Sequence, residues 1–335
     1  MSRFTVTRSS LGAQELIVLR DSEGKREVHI ARRGATVLTI AIPDAGGGQR
    51  NIADAFLNEQ ELLPHKGSRF AIMTPFANRI NDARYTFEGT DYDLQPGAVG
   101  VDRAIRHGFL RAELFDVAGE QAGDDSASVT LTTQAIRPGV HPGYPFALDF
   151  GVTFTLDAQG LSLETTTRNV GDKVAPTFFG WHPYFRLSDN AIDTWELEVP
   201  AASVIVAGED FIPLPGKRAW QSLDDADASL DFRQMRSIGA MPLNNTYADL
   251  QVGDDRRART RMRDPKTGLG ITVWQERGVM LAFTSDTNER DPRKSVALEP
   301  MECIPDAFNR EDCAEQLKLA PGATRRFVCG VEFTA

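Results

Sequence analysis

Two titratable side chains, His182 and Glu299, stand in apolar surroundings where they could move protons. His182 lies within the aromatic segment 180–187, and Pro183 pushes it away from the α region into an extended backbone. Glu299 follows the apolar stretch 296–298. Each also has a plainer interpretation: a core histidine satisfied by one backbone hydrogen bond, and a buried carboxylate held in an ion pair. Chemically, a carboxylate and an imidazole make a suitable base and acid at neutral pH.

A second group of polar residues lies earlier in the chain. His107 is followed by Gly108, which allows close approach of the backbone. Like His182, it is either a packed histidine or a functional one. The Asn78-Arg79 pair is most often a surface turn, although the fixed fork of donors on an arginine also suits carboxylates and sugar hydroxyls. Asn78 and Arg79 are therefore candidate binding residues.

The elements that must position these side chains are predicted to be β-strands. Apolar and polar residues alternate with a period of two in several segments bounded by Gly, Asp, Asn or Pro, which is typical of antiparallel strands with one buried face. The clearest are 4–7, 128–133, 161–167, 271–275 and 326–333. Helix is predicted only at 58–63, where Pro64 ends it. Many short strands with little helix predict a large all-β sandwich or barrel, which we take as one domain over 1–335.

The composition excludes several classes of partner. The 335 residues carry 47 acidic and 37 basic side chains, a net charge of −10, so a global cationic surface for nucleic acid or anionic lipid is absent. The three cysteines lack a C-x-x-C pair, which supports neither a disulfide framework nor a zinc ribbon. The sequence has no signal-peptide pattern and no apolar run of about 18 residues. We therefore expect a cytoplasmic protein that binds neither nucleic acid nor membranes.

Taken in order, five motifs make this sequence resemble the aldose 1-epimerases, a family of galactose mutarotase-like proteins. They are N-R-I at 78–80, F-x-G-x-x-Y-x-L at 87–94, H-G-F at 107–109, H-x-Y-F-x-L at 182–187 and L-E-P-M at 298–301, the last followed by P-D-A-F-N at 305–309. Each motif alone is weak, but together they cover nearly the whole chain. The resemblance implies a β-supersandwich of mostly antiparallel strands, with an open carbohydrate cleft and no metal or cofactor.

The resemblance further implies an activity, the interconversion of the α and β anomers of a free aldose. Opening the hemiacetal ring removes a proton from the anomeric hydroxyl and delivers one to the ring oxygen, so a positioned base and acid must act together. By resemblance, Glu299 is the base and His182 the acid. His107 holds the ring oxygen or a neighbouring hydroxyl, and Asn78 and Arg79 bind hydroxyls.

Three further positions bear on which sugar is bound. Asn244 stands where family members that act on galactose or glucose usually carry Asp, and it keeps hydrogen-bonding capacity while losing the charge. Leu281 stands where some members present Gln, which removes a polar contact. Trp181, immediately before the proposed acid, offers a surface on which a pyranose can stack. Galactose is therefore not implied as the preferred sugar.

Two alternatives remain open. One is a hexose-6-phosphate mutarotase of the same superfamily, for which Arg69, Arg103 and Arg106 lie near the cleft segments. The other is a non-catalytic carbohydrate-binding or regulatory protein, because a fold does not guarantee an activity. The Glu299–His182 pair, which a pure binder does not need, argues against the second. In each case we expect a small monosaccharide as partner and a monomer or homodimer.

Overall fold

Antiparallel β-strands are the dominant regular element of the computed structural model, which describes residues 2–44, 46–100 and 103–334. The α-helices in this part of the chain are two four-residue elements, α1 (Glu59–Leu62) and α2 (Ala314–Leu317). Helix α1 lies inside the predicted segment 58–63, and the Asn58 side chain caps it by accepting a hydrogen bond from the Glu61 N–H at 3.0 Å. The prediction of an all-β fold is confirmed.

The chain first forms a five-stranded meander. Its strands are β1 Phe4–Leu11, β2 Gln14–Asp21, β3 Arg26–Ala31, β4 Thr36–Pro43 and β5 Gln49–Asn51. They pair in sequence order, each antiparallel to the next. Apolar side chains from the middle strands, among them Ile17, Val28 and Ile40, are fully buried, so one face of this sheet closes against the core.

A nine-stranded sheet contains most of the strands that alternation predicts. Its strands are β11 Asp116–Ala122, β12 Ser126–Ile136, β13 Leu148–Asp157, β14 Gly160–Asn169, β18 Glu196–Glu198, β21 Arg236–Ser237, β23 Ala258–Arg263, β24 Gly270–Gln275 and β28 Thr324–Thr334. Their order is β11-β12-β13-β14-β28-β24-β23-β18-β21. The predicted strands at 128–133, 161–167, 271–275 and 326–333 fall inside β12, β14, β24 and β28.

An eight-stranded sheet carries the candidate site. Its strands are β6 Ala71–Met73, β16 Gly180–His182, β17 Tyr184–Phe185, β19 Ala201–Ile205, β20 Trp220–Ser222, β22 Asn244–Leu250, β25 Val279–Phe283 and β26 Val296–Met301. The order is β20-β19-β22-β25-β26-β16-β6, and β17 also pairs with β26. Every residue of β26 is buried, which is expected of a strand that is covered on both faces.

Three two-stranded ribbons complete the fold. They are β7 Arg79–Ile80 with β10 Ile105–Arg106, β8 Arg84–Phe87 with β9 Thr90–Asp93, and β15 Ala175–Pro176 with β27 Lys318–Leu319. The first ribbon carries Arg79 and ends next to His107, so it brings two of the predicted site residues to one place.

One continuous cluster of buried hydrophobic side chains runs through the three large sheets. It includes fully buried aromatic residues such as Trp195, Tyr144 and Phe150. Burying a large apolar side chain contributes about 1.5–3 kcal/mol, so this cluster can hold polar groups in its interior at positions that would otherwise be unfavourable.

Two smaller expectations can be compared with the structure. Cys303, Cys313 and Cys329 are buried free cysteines, as expected from the lack of a disulfide framework. Among the residues that the structure describes, no helix has both the length and the apolar character needed to cross a membrane.

Candidate active site

The side chains of Glu299 and His182 meet on neighbouring strands of the eight-stranded sheet. The antiparallel register pairs Gly180 with Met301 and Tyr184 with Ala297, and the same register sets His182 opposite Glu299. The Nε2 atom of His182 lies 3.2 Å from Oε1 of Glu299. Both residues are buried, with exposed fractions of 5% and 1%. Pairing between strands more than 100 residues apart therefore creates the contact.

Burial sets the protonation of this pair. Desolvation raises the pKa of Glu299 well above its usual range, although the Arg79 guanidinium opposes the shift. Desolvation also lowers the pKa of His182 to about 3. At pH values between the pKa of His182 and the pKa of Glu299, the pair holds one titratable proton. This proton resides on Glu299 or is transferred across the 3.2 Å contact to His182. The pair can therefore donate one proton, and its unprotonated member can accept one.

Each member of the pair also leaves one buried polar atom without a partner. Within the described ranges, Oε2 of Glu299 and Nδ1 of His182 make no hydrogen bond. An unpaired buried polar atom costs about 1–3 kcal/mol, and native proteins retain few of them. Two such atoms on one contacting pair therefore indicate a place where a polar ligand completes the hydrogen bonding.

The His182 ring is held in place by Tyr184. The two rings are stacked, with centroids 4.7 Å apart and planes 9° apart. They face the same way because residues two apart on an extended chain share a face. The guanidinium of Arg69 lies over the Tyr184 ring, 5.1 Å from the ring centroid. Arg69 also forms a buried ion pair with Asp54. This packing fixes the plane of the imidazole that contacts Glu299.

His107 lies edge-on to His182, with ring centroids 5.0 Å apart. The backbone N–H of His107 donates to the carbonyl of Asn78 at 2.8 Å, and its Nδ1 lies 2.9 Å from the Met73 sulfur. Burial lowers the pKa of His107 well below its usual value, and the charges of nearby groups add to this shift. His107 is therefore a neutral ring beside the pair.

The predicted close approach at Gly108 is confirmed. Gly108 has a φ of +62°, and a Cβ atom there would overlap the backbone of Thr74. The next residue continues this contact, because the Phe109 N–H donates to the Thr74 carbonyl at 2.9 Å. A glycine is thus required beside His107, and the turn that it permits delivers His107 to the site.

Asn78 and Arg79 line the edge of a small cavity next to the pair. Nη1 of Arg79 donates to Oδ1 of Asn78 at 2.8 Å, and the guanidinium lies 4.9 Å from the centroid of the Phe211 ring. Desolvation lowers the pKa of Arg79. Asp306, from the P-D-A-F-N motif, holds this turn in place, because its backbone N–H donates to the Arg79 carbonyl at 2.9 Å. The motif therefore positions the candidate binding residue Arg79.

Asn244 and Leu281 lie on the opposite wall of the same cavity. Leu281 pairs with Glu299 across β25 and β26, so the two side chains share a face of the sheet. The cavity has a volume of about 20 Å³, which is roughly the room for one water molecule. Glu299 and His182 themselves are 1% and 5% exposed, so neighbouring side chains cover most of the pair.

The likeness of this chain to known proteins agrees with the geometry. Residues 15–332 match the family described as Aldose 1-epimerase. The chain belongs to the aldose 1-epimerase family. It is 29% identical to the uncharacterized protein YihR of Escherichia coli (strain K12), over 82% of this chain and 82% of that protein. It is 28% identical to the aldose 1-epimerase of the same organism, over 67% of this chain and 62% of that protein.

The solved structures show the same fold. The galactose 1-epimerase from Lactobacillus acidophilus NCFM has a TM-score of 0.79 to this chain, with 16% identity and 99% of each chain covered. At this identity the likeness concerns the fold, and it confirms the prediction of a galactose mutarotase-like β-structure.

Most residues predicted for an aldose 1-epimerase site come together, but Trp181 does not. Its side chain is fully buried in the hydrophobic core and packs edge-on against Phe70, with ring centroids 5.7 Å apart. Because adjacent residues of a strand point to opposite faces, Trp181 faces away from the side on which His182 meets Glu299. The expectation that Trp181 stacks on a sugar is therefore wrong, and its role is packing.

Sequence reasoning missed two aromatic residues beside the site. Phe211 lies in a loop that carries no family motif, is 42% exposed and lines the small cavity next to Arg79. Tyr184 lies inside a recognised motif, but its stacking on His182 had no separate sequence signal. Phe211 is thus an exposed ring beside the site, whereas Trp181 is buried.

A larger depression of the surface lies elsewhere and lacks such a constellation. It measures about 690 Å³ on the outer face of the nine-stranded sheet and is lined mainly by Ser, Thr, Gln and charged side chains, including Ser128, Thr155 and Arg326. In the described ranges, no group of three or more His, Cys, Asp or Glu side chains is arranged to hold a metal ion. The buried acid–base pair is therefore the strongest candidate for the chemistry.

Proposed function

We propose that this protein interconverts the α and β anomers of a free aldose by acid–base catalysed opening and closure of the sugar ring. The observation that carries the proposal is the buried 3.2 Å contact between His182 and Glu299, each of which keeps one unpaired polar atom. Membership of the aldose 1-epimerase family supports the reaction class. Glu299 is the proposed base and His182 the proposed acid.

The proton count of the pair suits this reaction. In the reactive form Glu299 is ionised and His182 is protonated. Glu299 takes the proton of the anomeric hydroxyl, the bond between C1 and the ring oxygen breaks, and His182 gives its proton to that oxygen. The open-chain aldehyde is then held by a protonated Glu299 and a neutral His182, which is the form that burial favours. Rotation about C1–C2 followed by the reverse transfers yields the other anomer.

The surrounding residues take binding roles in the proposal. His107, a neutral ring 5.0 Å from His182, holds the ring oxygen or an adjacent hydroxyl. Arg79, Asn78 and Asn244 line the cavity and bind hydroxyls. Because Leu281 gives that wall an apolar surface where a polar side chain could bind a hydroxyl, the proposal does not specify galactose.

A sugar that contacts both members of the pair requires covering groups to move, because Glu299 and His182 are only 1% and 5% exposed. The exposed Phe211 is the natural group to move, since it comes from a loop and its ring rests on Arg79. Once displaced, the ring can stack on the apolar face of the bound pyranose.

The test is enzyme-dependent exchange between the two anomeric proton signals, measured by saturation-transfer NMR over a panel of aldoses. Glu299→Gln and His182→Ala should each lower kcat by at least about 100-fold, because each removes one proton-transfer group. Glu302→Gln is the matched control. Its carboxylate is buried just after the same strand, where it accepts a hydrogen bond from the Phe179 N–H at 2.8 Å and lies apart from the pair.

Two results would contradict the proposal. If either pair variant kept kcat within a few-fold of the wild type, the assigned roles would be wrong. If the wild type bound sugars in calorimetric titrations without accelerating exchange for any of them, the protein would be a carbohydrate-binding member of the family.

The proposal also places the protein in the cytoplasm. The three buried free thiols support this location, because reducing compartments keep cysteines unpaired. Detection of the protein in a cell fraction other than the cytosol would refute it.

A further inference from the structure

A buried ion pair lies beside the ring that stacks on His182. Nη1 of Arg69 pairs with the Asp54 carboxylate and donates to the Asp54 carbonyl at 2.9 Å. Nη2 of Arg69 donates to the Arg290 carbonyl at 3.1 Å. The Ser295 hydroxyl donates to the same Asp54 carboxylate at 2.6 Å. Arg69, which the sequence suggested for a phosphate, is therefore engaged by groups of the protein itself.

Stability alone does not explain this ion pair. Taking two charges out of water is costly, and well-packed apolar side chains of similar volume are often as stable as a buried ion pair or more so. Arg69 and Asp54 nevertheless lie among buried hydrophobic residues, where apolar side chains would fill the same space. A charged pair retained at this place indicates a role in the chemistry next to it.

The segments that carry the ion pair also hold the backbone of the proposed acid. The N–H of Asp54 donates to the carbonyl of Tyr184 at 3.0 Å. The N–H of Phe70, directly after Arg69, donates to the carbonyl of His182 at 2.8 Å. The Arg69 guanidinium lies over the Tyr184 ring, on which the imidazole is stacked. Backbone and ring are thus held from the same side of the fold.

The ion pair also reaches the strand that carries the proposed base. Arg290 lies in the loop between β25 and β26, and its guanidinium lies 3.3 Å from Oδ1 of Asp54. Because β26 carries Glu299, one buried carboxylate joins the segment that leads to the base with the residue that holds the ring next to the acid.

We propose that Arg69 is a positioning residue that acts on His182 through Tyr184. It holds the plane of the imidazole, and its positive charge favours release of the proton that His182 donates. The inference rests on the proposed function, in which His182 is the acid. A planar guanidinium can cover an aromatic ring while it donates to three acceptors, whereas the ammonium of a lysine is a compact point charge.

Several charged and titratable groups surround His182, and Arg69 is one of them. In the described part of the chain they are Glu299, Tyr184, His65, His107, Arg69, Arg79 and Arg106. After burial, the charge of Arg69 contributes to the lowered pKa of His182. A variant of Arg69 leaves all the other groups in place, so its comparison with the wild type isolates the effect of Arg69.

The first test is the rate of anomer exchange. Arg69→Lys should lower kcat by about 10- to 100-fold, because the imidazole is no longer held in the geometry for proton transfer. KM should stay within about twofold, since Arg69 has no proposed contact with the sugar. Arg3→Lys is the matched control: Arg3 also pairs with a buried aspartate, Asp21, and lies 4.8 Å from the centroid of the Phe4 ring, but at the start of the five-stranded meander. Its kcat should equal that of the wild type.

A double-mutant cycle tests the route through Tyr184. Tyr184→Leu removes the stacked ring, so Arg69→Lys should lower kcat little further in that background. If the two reductions of kcat multiply in full, Arg69 does not act through Tyr184, and the inference is wrong.

Titration of the His182 imidazole by NMR distinguishes the effect of charge from a purely structural role. The His182 signal is assigned by its loss in His182→Ala. Arg69→Gln should move the titration midpoint to higher pH, because a nearby positive charge disfavours the imidazolium. Arg69→Lys keeps that charge and should leave the midpoint close to the wild-type value.

Two results would overturn the inference and leave the proposed function standing. One is a kcat for Arg69→Lys within about twofold of the wild type. The other is the same titration midpoint of His182 in Arg69→Gln and the wild type. If the wild type exchanges no sugar, the proposed function fails, and the titration decides on Arg69 separately. Arg69→Lys keeps both charges of the ion pair, so the test on kcat remains even where Arg69→Gln does not fold.

Discussion

Replacing Glu299 by Gln should change how the stability of the protein depends on pH. In the unfolded chain this carboxyl titrates near about 4.3, whereas burial raises its pKa well above that value in the folded protein. Between the two values the folded state holds one proton more than the unfolded state. The stabilising contribution of Glu299 is thus fully present below about pH 4.3 and is lost as the pH rises through the folded pKa, by about 1.4 kcal/mol per pH unit.

His182 acts in the opposite sense. Its pKa is lowered to about 3 in the folded protein, so its contribution is present above about pH 6.5 and is lost as the pH falls through the folded value. In the wild type the two effects nearly cancel between about pH 4.5 and 6.5, because the folded and unfolded states then hold the same number of protons on these two groups. The effect of Glu299 therefore becomes visible only by comparison with a variant that lacks it.

The assay is urea-induced unfolding at several values between about pH 5 and pH 8 for the wild type and Glu299→Gln. Because His182 is present in both, its titration largely cancels in the difference between the two free energies of unfolding. As the pH rises, the free energy of unfolding of the wild type should fall relative to that of Glu299→Gln by about 1.4 kcal/mol per pH unit. This fall should level off at the folded pKa of Glu299. Glu302→Gln, directly after β26, is a carboxylate-to-amide control that removes an ion pair with Arg277 and leaves the Glu299–His182 contact in place.

A difference that stays constant within about 0.5 kcal/mol over this range would refute the reasoning. Glu299 would then be ionised in the folded protein, and its 3.2 Å contact with His182 would be a buried ion pair instead of a neutral pair that shares one proton.

Two further predictions concern the packing around the pair. Phe211→Ala should raise KM for the sugar by about 2- to 10-fold, because stacking on the ring is lost. Trp181→Phe should lower the free energy of unfolding by about 1–3 kcal/mol and leave KM unchanged. A larger effect on KM at Trp181 than at Phe211 would contradict the conclusion that Trp181 serves packing. Gly108→Ala should cost about 2 kcal/mol or more, because it adds a clash with Thr74 to the strain of a positive φ. Gly97→Ala is the control, because Gly97 has a φ of +88° but open space around it, so an alanine there adds backbone strain without a clash. If urea unfolding showed the same loss of stability for both variants, the clash with Thr74 would be excluded.

Local alternation predicted the strands that have one buried face. The segments 128–133 and 161–167 lie within β12 and β14 because their side chains alternate between the core and the exterior. Alternation could not predict the order of the sheet, in which β28 is inserted between β14 and β24. Such pairing depends on contacts between residues more than 50 positions apart, which leave no local pattern.

The ordered motifs predicted most members of the candidate site for a related reason. Each motif is a short turn or strand end whose residues are fixed locally, as Gly108 is beside His107. The contact of His182 with Glu299 depends on the register of β16 and β26, which no motif encodes. The error at Trp181 was avoidable, because the extended backbone predicted at Pro183 already implies that neighbouring side chains point to opposite faces. Phe211 was not predictable, because its loop shows neither periodicity nor a motif.

The structure separates the proposed chemistry from the proposed recognition. Glu299 and His182 sit on interior strands of the eight-stranded sheet, where neighbouring strands on both sides fix their positions. Phe211 comes from a loop, and Arg106 is an exposed residue at the end of a two-stranded ribbon. Substitutions at these outer positions can change which sugar is bound without moving the strands that hold the pair. The pH dependence of stability therefore tests the pair, and the KM of Phe211→Ala tests the loop.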